Sequence, residues 1–148
     1  MSGDLPFSRS EFQQRIENVH QEMRNRDLKA MILYAPENIF YLTGFQTVGY
    51  FTYQCLILPA EKPPILVVRR IEEMNVKITS IIEDYSLFVD AEDPIETTAK
   101  TLRDNNLTDN LGLEMDSWFV TVREFQQLQD QMKDVKFADC SGIVEKYR

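Results

Sequence analysis

"AMILYAPENIFYLTGF", residues 30–45, contains an apolar run and a helix signal in direct succession. The run over 28–34 is apolar enough for a strand that is buried on both faces under helices. Pro36 suits the first position of a helical turn, and Gly44 suits the left-handed residue that ends one. The stretch therefore predicts a central strand followed by a short helix over 36–43.

Helix start signals occur before and after this stretch. Ser8 and Glu11 form a predicted capping box, each side chain reaching the backbone amide of the other, and Phe7 and Phe12 suit a hydrophobic staple. A helix is expected from about residue 9. Its apolar residues recur at spacings of four, three and four, which gives one face to bury: Phe12, Ile16, Val19 and Met23. Similar start signals at 93–96 and 121–124 predict two more helices.

Two β-rich runs follow the motif. Residues 46–60 predict one long strand and 63–70 a second, joined as a hairpin near 60–63. A short amphipathic helix is expected at 71–78, with Ile71, Met74 and Ile78 on one side. Further strands are predicted around 80–87, 110–116 and 136–140, and a terminal helix within 141–148. This alternation indicates a layered α/β domain with a mixed sheet.

Composition and charge indicate which partners and which cellular compartment to expect. The 148 residues include 24 acids and 16 bases, so a net charge of −8 argues against a nucleic-acid partner. No apolar run approaches the ~20 residues that a membrane span needs, and the N-terminus lacks the apolar core of a signal peptide. A soluble, cytoplasmic protein without a membrane partner is the resulting prediction. Cys55 and Cys140 are expected to be free buried thiols.

The sequence shows no catalytic set. His20 is the only histidine, and neither a G-x-S-x-G elbow nor a glycine-rich phosphate loop is present. The chain alone is therefore not expected to be an enzyme or to bind a cofactor. Its unusual feature is aromatic density between 40 and 53. Those side chains suit either a core cluster or a strand edge that presents some of them to a ligand or partner.

The ordered segments resemble the N-terminal domain of the creatinase/prolidase superfamily. Asn38 precedes Tyr41-Leu42-Thr43-Gly44-Phe45, which is close to the family signature Asn-x-x-x-Tyr-Leu-Thr/Ser-Gly-aromatic but one residue shorter before the tyrosine. The segments "PILVVRR", "LGLEMD" and "FADCSGIVEKYR" follow in the family's order. The resemblance extends from about Phe7 to Arg148.

The resemblance implies a fold and a place in a larger protein. It implies a three-layer, ribonuclease-H-like α/β domain over 1–148, with a mixed β-sheet covered by helices. In the family a separate "pita-bread" catalytic domain follows, which holds a divalent metal; that domain is absent from this chain. Residues 143–148 resemble the segment that leads into the linker. The parent would then be an X-Pro dipeptidase, an X-Pro aminopeptidase or a creatinase-like metallohydrolase.

The resemblance also implies partners and site residues. The domain would contact its own catalytic domain and a second subunit of a homodimer, and would help to bind a small peptide or amino-acid-like substrate. The candidates are Tyr50, Phe51 and Tyr53, with Arg69 and Arg70 as partners for a substrate carboxylate, since a guanidinium can bind a carboxylate through two hydrogen bonds. Either arginine also suits a solvated strand end.

Two other functions stay open from the sequence. Relatives of this domain occur without peptidase activity in a histone-chaperone subunit, so a peptide- or protein-interaction module is one alternative. A free-standing binder of small molecules is the other. The reading frame after Arg148 would separate these hypotheses.

Overall fold

A computed structural model describes residues 5–148 of the chain, which form five α-helices, six strands and one 3₁₀ turn. The helices are α1 (Arg9–Asn25), α2 (Pro36–Thr43), α3 (Glu73–Thr79), α4 (Pro94–Asp104) and α5 (Val122–Gln131), with the 3₁₀ turn at Arg70–Glu72. The strands are β1 (Ala30–Leu33), β2 (Cys55–Pro59), β3 (Ile65–Arg69), β4 (Asp84–Phe88), β5 (Leu111–Leu113) and β6 (Phe137–Asp139).

The strands form one mixed sheet in the order β4-β3-β2-β1-β5-β6. The β2–β3 hairpin is antiparallel, and β2 is also antiparallel to β1. The pairs β1–β5, β3–β4 and β5–β6 are parallel. The mixed sheet, its antiparallel hairpin and the central position of β1 are thus as predicted. All strands except β2 point the same way, so five carboxyl ends lie at one edge of the sheet, where β2 begins.

Helices cover both faces of the sheet, which makes the domain three-layered. On one face, α1, α2 and α3 pack on Met31, Leu56 and other strand residues. On the other face, α4 and α5 pack on Ile32, Ile57 and their neighbours. Because both faces are covered, all four residues of β1 are buried, which explains its uninterrupted apolar sequence. The three-layer α/β architecture predicted from the sequence is confirmed.

The helix starts are largely as predicted. The Ser8 hydroxyl accepts a hydrogen bond from the Glu11 amide at 3.2 Å, and the rings of Phe7 and Phe12 lie 5.9 Å apart. The reciprocal bond of this capping box was predicted wrongly, since the Glu11 carboxylate pairs with Arg15 at 2.5 Å instead. At α5 the capping box is complete in both directions. A guanidinium one turn away competes successfully for the first carboxylate.

The long strand predicted over 46–60 is wrong in its first half, because β2 begins only at Cys55. Residues 46–54 form turns instead. The Thr47 hydroxyl accepts from the Gly49 amide at 2.9 Å, and the amide and hydroxyl of Thr52 both donate to the Gly49 carbonyl. Such local side-chain bonds compete with a strand ladder. The loop 46–54 therefore leaves the sheet before β2 enters it.

The terminal helix predicted within 141–148 is also wrong. Gly142 adopts a left-handed φ of 88°, and the following turns mix two kinds of backbone bond. Lys146 donates to the residue four before it, whereas Tyr147 donates to the residue three before it. We name residues 141–148 the C-terminal segment. Its path is set by contacts with the rest of the domain more than by helix propensity.

The helix predicted at 71–78 is observed as the 3₁₀ turn followed by α3, and few of its side chains are buried. Val76 is its buried residue, packed in the core beside α2. The apolar residues Ile71, Met74 and Ile78 are all exposed. An exposed apolar side of this kind is available to a partner.

Candidate functional site

The unusual side chains of the sequence lie at the edge where the five strand ends meet. Ligand sites of open α/β sheets lie outside the carboxyl ends of the strands. Here α2 follows β1, the two arginines lie at the end of β3, Glu114 follows β5 and the C-terminal segment follows β6. The loop 46–54 reaches the same edge because it precedes the antiparallel β2. We name this region the carboxyl edge.

The motif that opens the sequence builds the first part of this edge. Gly44 ends α2 with a left-handed φ of 82°, and a Cβ there would lie 2.9 Å from the Thr79 carbonyl oxygen. The Thr43 hydroxyl donates to the Ile39 carbonyl at 2.7 Å and accepts from the Phe45 amide at 3.1 Å. The predicted short helix with its glycine end is confirmed, and the following loop starts from a fixed point.

Two of the predicted substrate residues lie on the loop 46–54 and face outward. Tyr50 is 50% exposed and Phe51 is 78% exposed, and their ring centroids are 6.0 Å apart. The ring of Tyr50 also contacts that of Phe119, at 6.2 Å, in the segment between β5 and α5. Both residues stand on turns, not on the strand predicted from the sequence. Their rings are free to contact a ligand or a partner.

Tyr53 differs from its two neighbours because its ring turns into the domain. Its hydroxyl lies 2.9 Å from the Thr98 hydroxyl and 3.4 Å from that of Tyr34. Burial is the main reason that the pKa of Tyr53 lies well above its ordinary value. The neighbouring Cys55 thiol is also buried, which raises its pKa to about 12. A thiol of that pKa is a weak nucleophile, so this group of side chains suits packing better than catalysis.

Arg69 and Arg70 lie at the end of β3, as predicted, and line one surface hollow together with Phe88 and Asp90. Arg69 already binds a carboxylate with two hydrogen bonds, from Nε to Asp90 Oδ1 at 3.1 Å and from an Nη to Oδ2 at 3.2 Å. A substrate carboxylate would have to compete with Asp90 for it. Arg70 is exposed.

A buried polar group at the same edge was missed by the sequence interpretation. Glu114 directly follows β5 and is only 2% exposed. Its Oε2 accepts from the amides of Tyr34 and Ala35 at 2.6 and 2.8 Å, and its Oε1 accepts from the Asn38 side-chain amide at 2.5 Å. Ala35 is the N-cap of α2 and its side chain makes no capping bond, whereas Glu114 accepts from its backbone amide and so fixes the chain just before the helix.

The charge state of Glu114 reflects two opposing effects. Burial raises its pKa above the ordinary 4.5, and the nearby charge of Glu145 adds to that rise. The hydrogen bonds from Ala35, Asn38 and Tyr34 act in the opposite direction. The sequence did contain a signal for this group. Glu114 and Asn38 each come shortly after a buried strand, and these two strands, β5 and β1, are parallel neighbours.

Metal-ligating side chains do not gather within residues 5–148: no group of three or more from His, Cys, Asp and Glu there could hold a metal ion. Among the helices of that same part of the chain, none combines the length and the apolar character that crossing a membrane requires.

Comparison with known proteins places this architecture in a family. The model of the creatinase/prolidase N-terminal domain matches residues 15–148. The chain belongs to the creatinase/prolidase N-terminal domain family. It is 27% identical over 150 residues to ectoine hydrolase from Halomonas elongata, covering 95% of this chain and 38% of that protein. It is 24% identical over 135 residues to the putative dipeptidase YkvY from Bacillus subtilis, covering 90% of this chain and 37% of that protein.

A solved structure with the same fold is the N-terminal domain of Xaa-Pro dipeptidase from Lactobacillus brevis. It superposes with a TM-score of 0.79 at 19% identity, covering 89% of this chain and 98% of that chain. The creatinase/prolidase assignment and the three-layer fold predicted from the sequence are confirmed. This creatinase/prolidase chain spans little more than a third of the two curated relatives, so the rest of their length has no counterpart in it.

Proposed function

We propose that the chain is the non-catalytic N-terminal domain of an X-Pro dipeptidase-, aminopeptidase- or creatinase-like metallohydrolase. The observation that carries this proposal is the family match over residues 15–148 in a chain that covers 38% of a hydrolase relative. In this proposal the divalent metal and the bond-breaking groups belong to the catalytic domain. The parent protein acts in the cytoplasm.

The carboxyl edge supports a role for this domain in the substrate pocket. Tyr50 and Phe51 expose aromatic rings there, and Arg70 exposes a guanidinium beside the Arg69–Asp90 pair. Aromatic rings suit the pyrrolidine ring of a proline substrate or a similar small apolar group, and a guanidinium suits its carboxylate. Tyr53 would act indirectly, since its ring contacts Phe88, which lines the same hollow as the two arginines. Arg69 would bind the substrate once its carboxylate replaces Asp90.

Kinetics of the parent protein test the pocket. Arg70→Ala is expected to raise KM for an X-Pro dipeptide at least tenfold with little change in kcat, because one charge-assisted hydrogen bond to the substrate is lost. Arg103→Ala, an exposed arginine near the end of α4, is the matched control and should leave KM unchanged. Ectoine and creatine should be assayed beside the dipeptide to identify the substrate class.

Two results would contradict this function. Cleavage of X-Pro dipeptides by the purified 148-residue chain would show that the domain is catalytic itself. A parent protein that turns over none of these substrates but binds histone peptides would favour the interaction module.

The exposed apolar side of α3 and of the 3₁₀ turn before it supports the proposed dimer contact. Ile71, Met74 and Ile78 place three large apolar side chains in solvent, where a second subunit would bury them. Met74→Glu is expected to shift the parent protein from dimer to monomer in light scattering, since a charge would be buried without a partner. Lys100→Glu, at an exposed position of α4, is the control. An unchanged mass for Met74→Glu would remove this surface from the dimer proposal.

A further inference from the structure

Asn38 uses each of its polar side-chain atoms to join separate parts of the chain. It is 0% exposed. Its Nδ2 donates to Glu114 Oε1 at 2.5 Å and to Glu145 Oε1 at 2.7 Å, and its Oδ1 accepts from an Nη of Arg148 at 3.0 Å. One amide therefore connects α2, the end of β5 and the C-terminal segment. The side-chain NH₂ group of Asn38 thus donates to two carboxylates, those of Glu114 and Glu145.

Tyr41, one turn further along α2, makes a second connection to the same segment. Its hydroxyl donates to the Tyr147 carbonyl at 2.7 Å. Its ring is fixed from the other side, because the Arg15 guanidinium lies 4.4 Å from the ring centroid and donates to the Tyr41 carbonyl at 2.9 Å. The hydroxyl therefore points to the segment from a ring that is held in place.

The C-terminal segment is held in two different ways along its length. Ile143 and Val144 are buried in the core and provide apolar contact without a fixed direction. The last four residues are exposed or half-exposed. They are held by the bonds from Asn38 and Tyr41, by turn hydrogen bonds within the segment, by partial packing of the Tyr147 ring on the core and by an ion pair from Lys146 to Glu22 at 3.6 Å. Hydrogen bonds depend on direction more than apolar contacts do, so the bonds from Asn38 and Tyr41 define the path of residues 145–148.

We propose that Asn38 and Tyr41 form a clasp that fixes the direction in which the chain leaves this domain, and so positions a catalytic domain attached to it. The positioning of a catalytic domain rests on the proposed function, whereas the clasp rests only on the contacts described above. Asn38 and Tyr41 are positioning residues that act through the segment. They bind the C-terminal segment, in which the Glu145 carboxylate accepts from the Asn38 side-chain amide and the Arg148 guanidinium donates to it.

Hydrogen exchange of the 148-residue chain tests the clasp. The amides of Lys146, Tyr147 and Arg148 donate to carbonyls within the C-terminal segment and report on its order. Asn38→Ala is expected to speed their exchange at least tenfold, because the bonds to Glu145 and Arg148, the two charged groups of the segment that Asn38 binds, are lost. Tyr41→Phe, which removes only the hydroxyl, should speed it about threefold.

Controls separate the clasp from general loss of stability. Asn18→Ala removes a half-exposed asparagine on α1 that bonds Gln14, and should leave exchange at 146–148 unchanged. Exchange in the central strand β2 should stay at its original rate in Tyr41→Phe. Glu145→Gln keeps an acceptor oxygen for Asn38 and should preserve protection, whereas Glu145→Ala should lose it.

Unchanged exchange at 146–148 in folded Asn38→Ala would overturn the clasp. If that variant does not fold, Tyr41→Phe and Arg148→Ala decide the question, since both remove contacts at the segment without opening the core. Arg148→Ala is expected to speed exchange at 146 and 147 several-fold, and the original rates in both variants would overturn the proposal.

The parent protein tests positioning separately. Tyr41→Phe there should lower kcat about tenfold with KM and metal content unchanged, because small displacements of reacting groups reduce the rate steeply. An active parent with unchanged kcat in this variant would overturn the positioning role. A wild-type parent without hydrolase activity would instead contradict the proposed function, and the exchange experiment would still decide the clasp.

Discussion

The helix α2 and the loop 46–54 are neighbours in sequence and both are rich in aromatic residues, yet the structure uses them in opposite ways. In α2 the hydroxyls of Tyr41 and Thr43 are hydrogen-bonded, and Phe45 just after the helix is buried. In the loop, Tyr50 and Phe51 are exposed, and only Tyr53 at its end turns into the domain. Composition alone therefore does not separate structural aromatics from those available to a ligand. What separates them is whether the ring is buried in the domain and its polar atoms are hydrogen-bonded.

Truncation of one phenylalanine in each region tests this difference most directly. Phe45→Ala is expected to lower the free energy of unfolding by about 3 to 5 kcal/mol, since it leaves a cavity in a packed core. Phe51→Ala should change it by less than about 0.5 kcal/mol. Urea unfolding of both variants gives the two values. Equal losses would show that the loop is packed as tightly as the helix end.

Removal of the acceptor at the start of α2 should have the next largest effect. Glu114→Ala is expected to cost about 3 kcal/mol of stability, because three donors, including the amides of Tyr34 and Ala35, lose their acceptor inside the domain. Glu83→Ala, at an exposed carboxylate, should stay within about 0.5 kcal/mol. Thermal unfolding compares the two, and a loss below 1 kcal/mol for Glu114→Ala would indicate that water replaces the carboxylate.

The glycine between the two regions offers a matched pair. Gly44→Ala is expected to cost about 2 to 3 kcal/mol, from the left-handed φ and from contact with the Thr79 carbonyl. Gly142 has a similar φ of +88°, but a Cβ there meets nothing within 4 Å, so Gly142→Ala should cost only about 1 kcal/mol. The difference in denaturant midpoint measures the close approach alone. Equal midpoints would assign the whole cost to backbone conformation.

A smaller effect is expected from pH. The folded-state pKa of Glu114 lies above the ordinary 4.5, so the folded protein binds this proton more tightly than the unfolded chain does. This contribution to stability is fully present below pH 4.5 and is lost as pH rises through the folded-state pKa. Unfolding free energies of wild type and Glu114→Gln, measured from pH 4 to 8, should therefore diverge within that window. Parallel curves would contradict the raised pKa.

Local signals predicted much of the fold but little of the candidate site. The Ser8 and Thr121 caps, the β2–β3 hairpin and the left-handed Gly44 depend on interactions within a few residues, which a sequence displays directly. Besides the reciprocal bond of the Ser8–Glu11 capping box, two local predictions were wrong, the long strand over 46–60 and the terminal helix. In the first place, turns closed by side-chain hydrogen bonds override the local β propensity. In the second, contacts with distant residues override the local helix propensity.

The sequence by itself determined the element order, the apolar faces and the family to which this chain belongs. Only the tertiary structure decided that Asn38 meets Glu114, Glu145 and Arg148, which lie 76, 107 and 110 residues away along the chain. The physical reason is distance along the chain: caps and turns act within one helical turn, whereas these bonds exist only once the parallel pairing of β1, β5 and β6 brings their carboxyl ends to one edge. The antiparallel pairing of β2 with β1 brings the loop 46–54, with its exposed Tyr50 and Phe51, to the same edge.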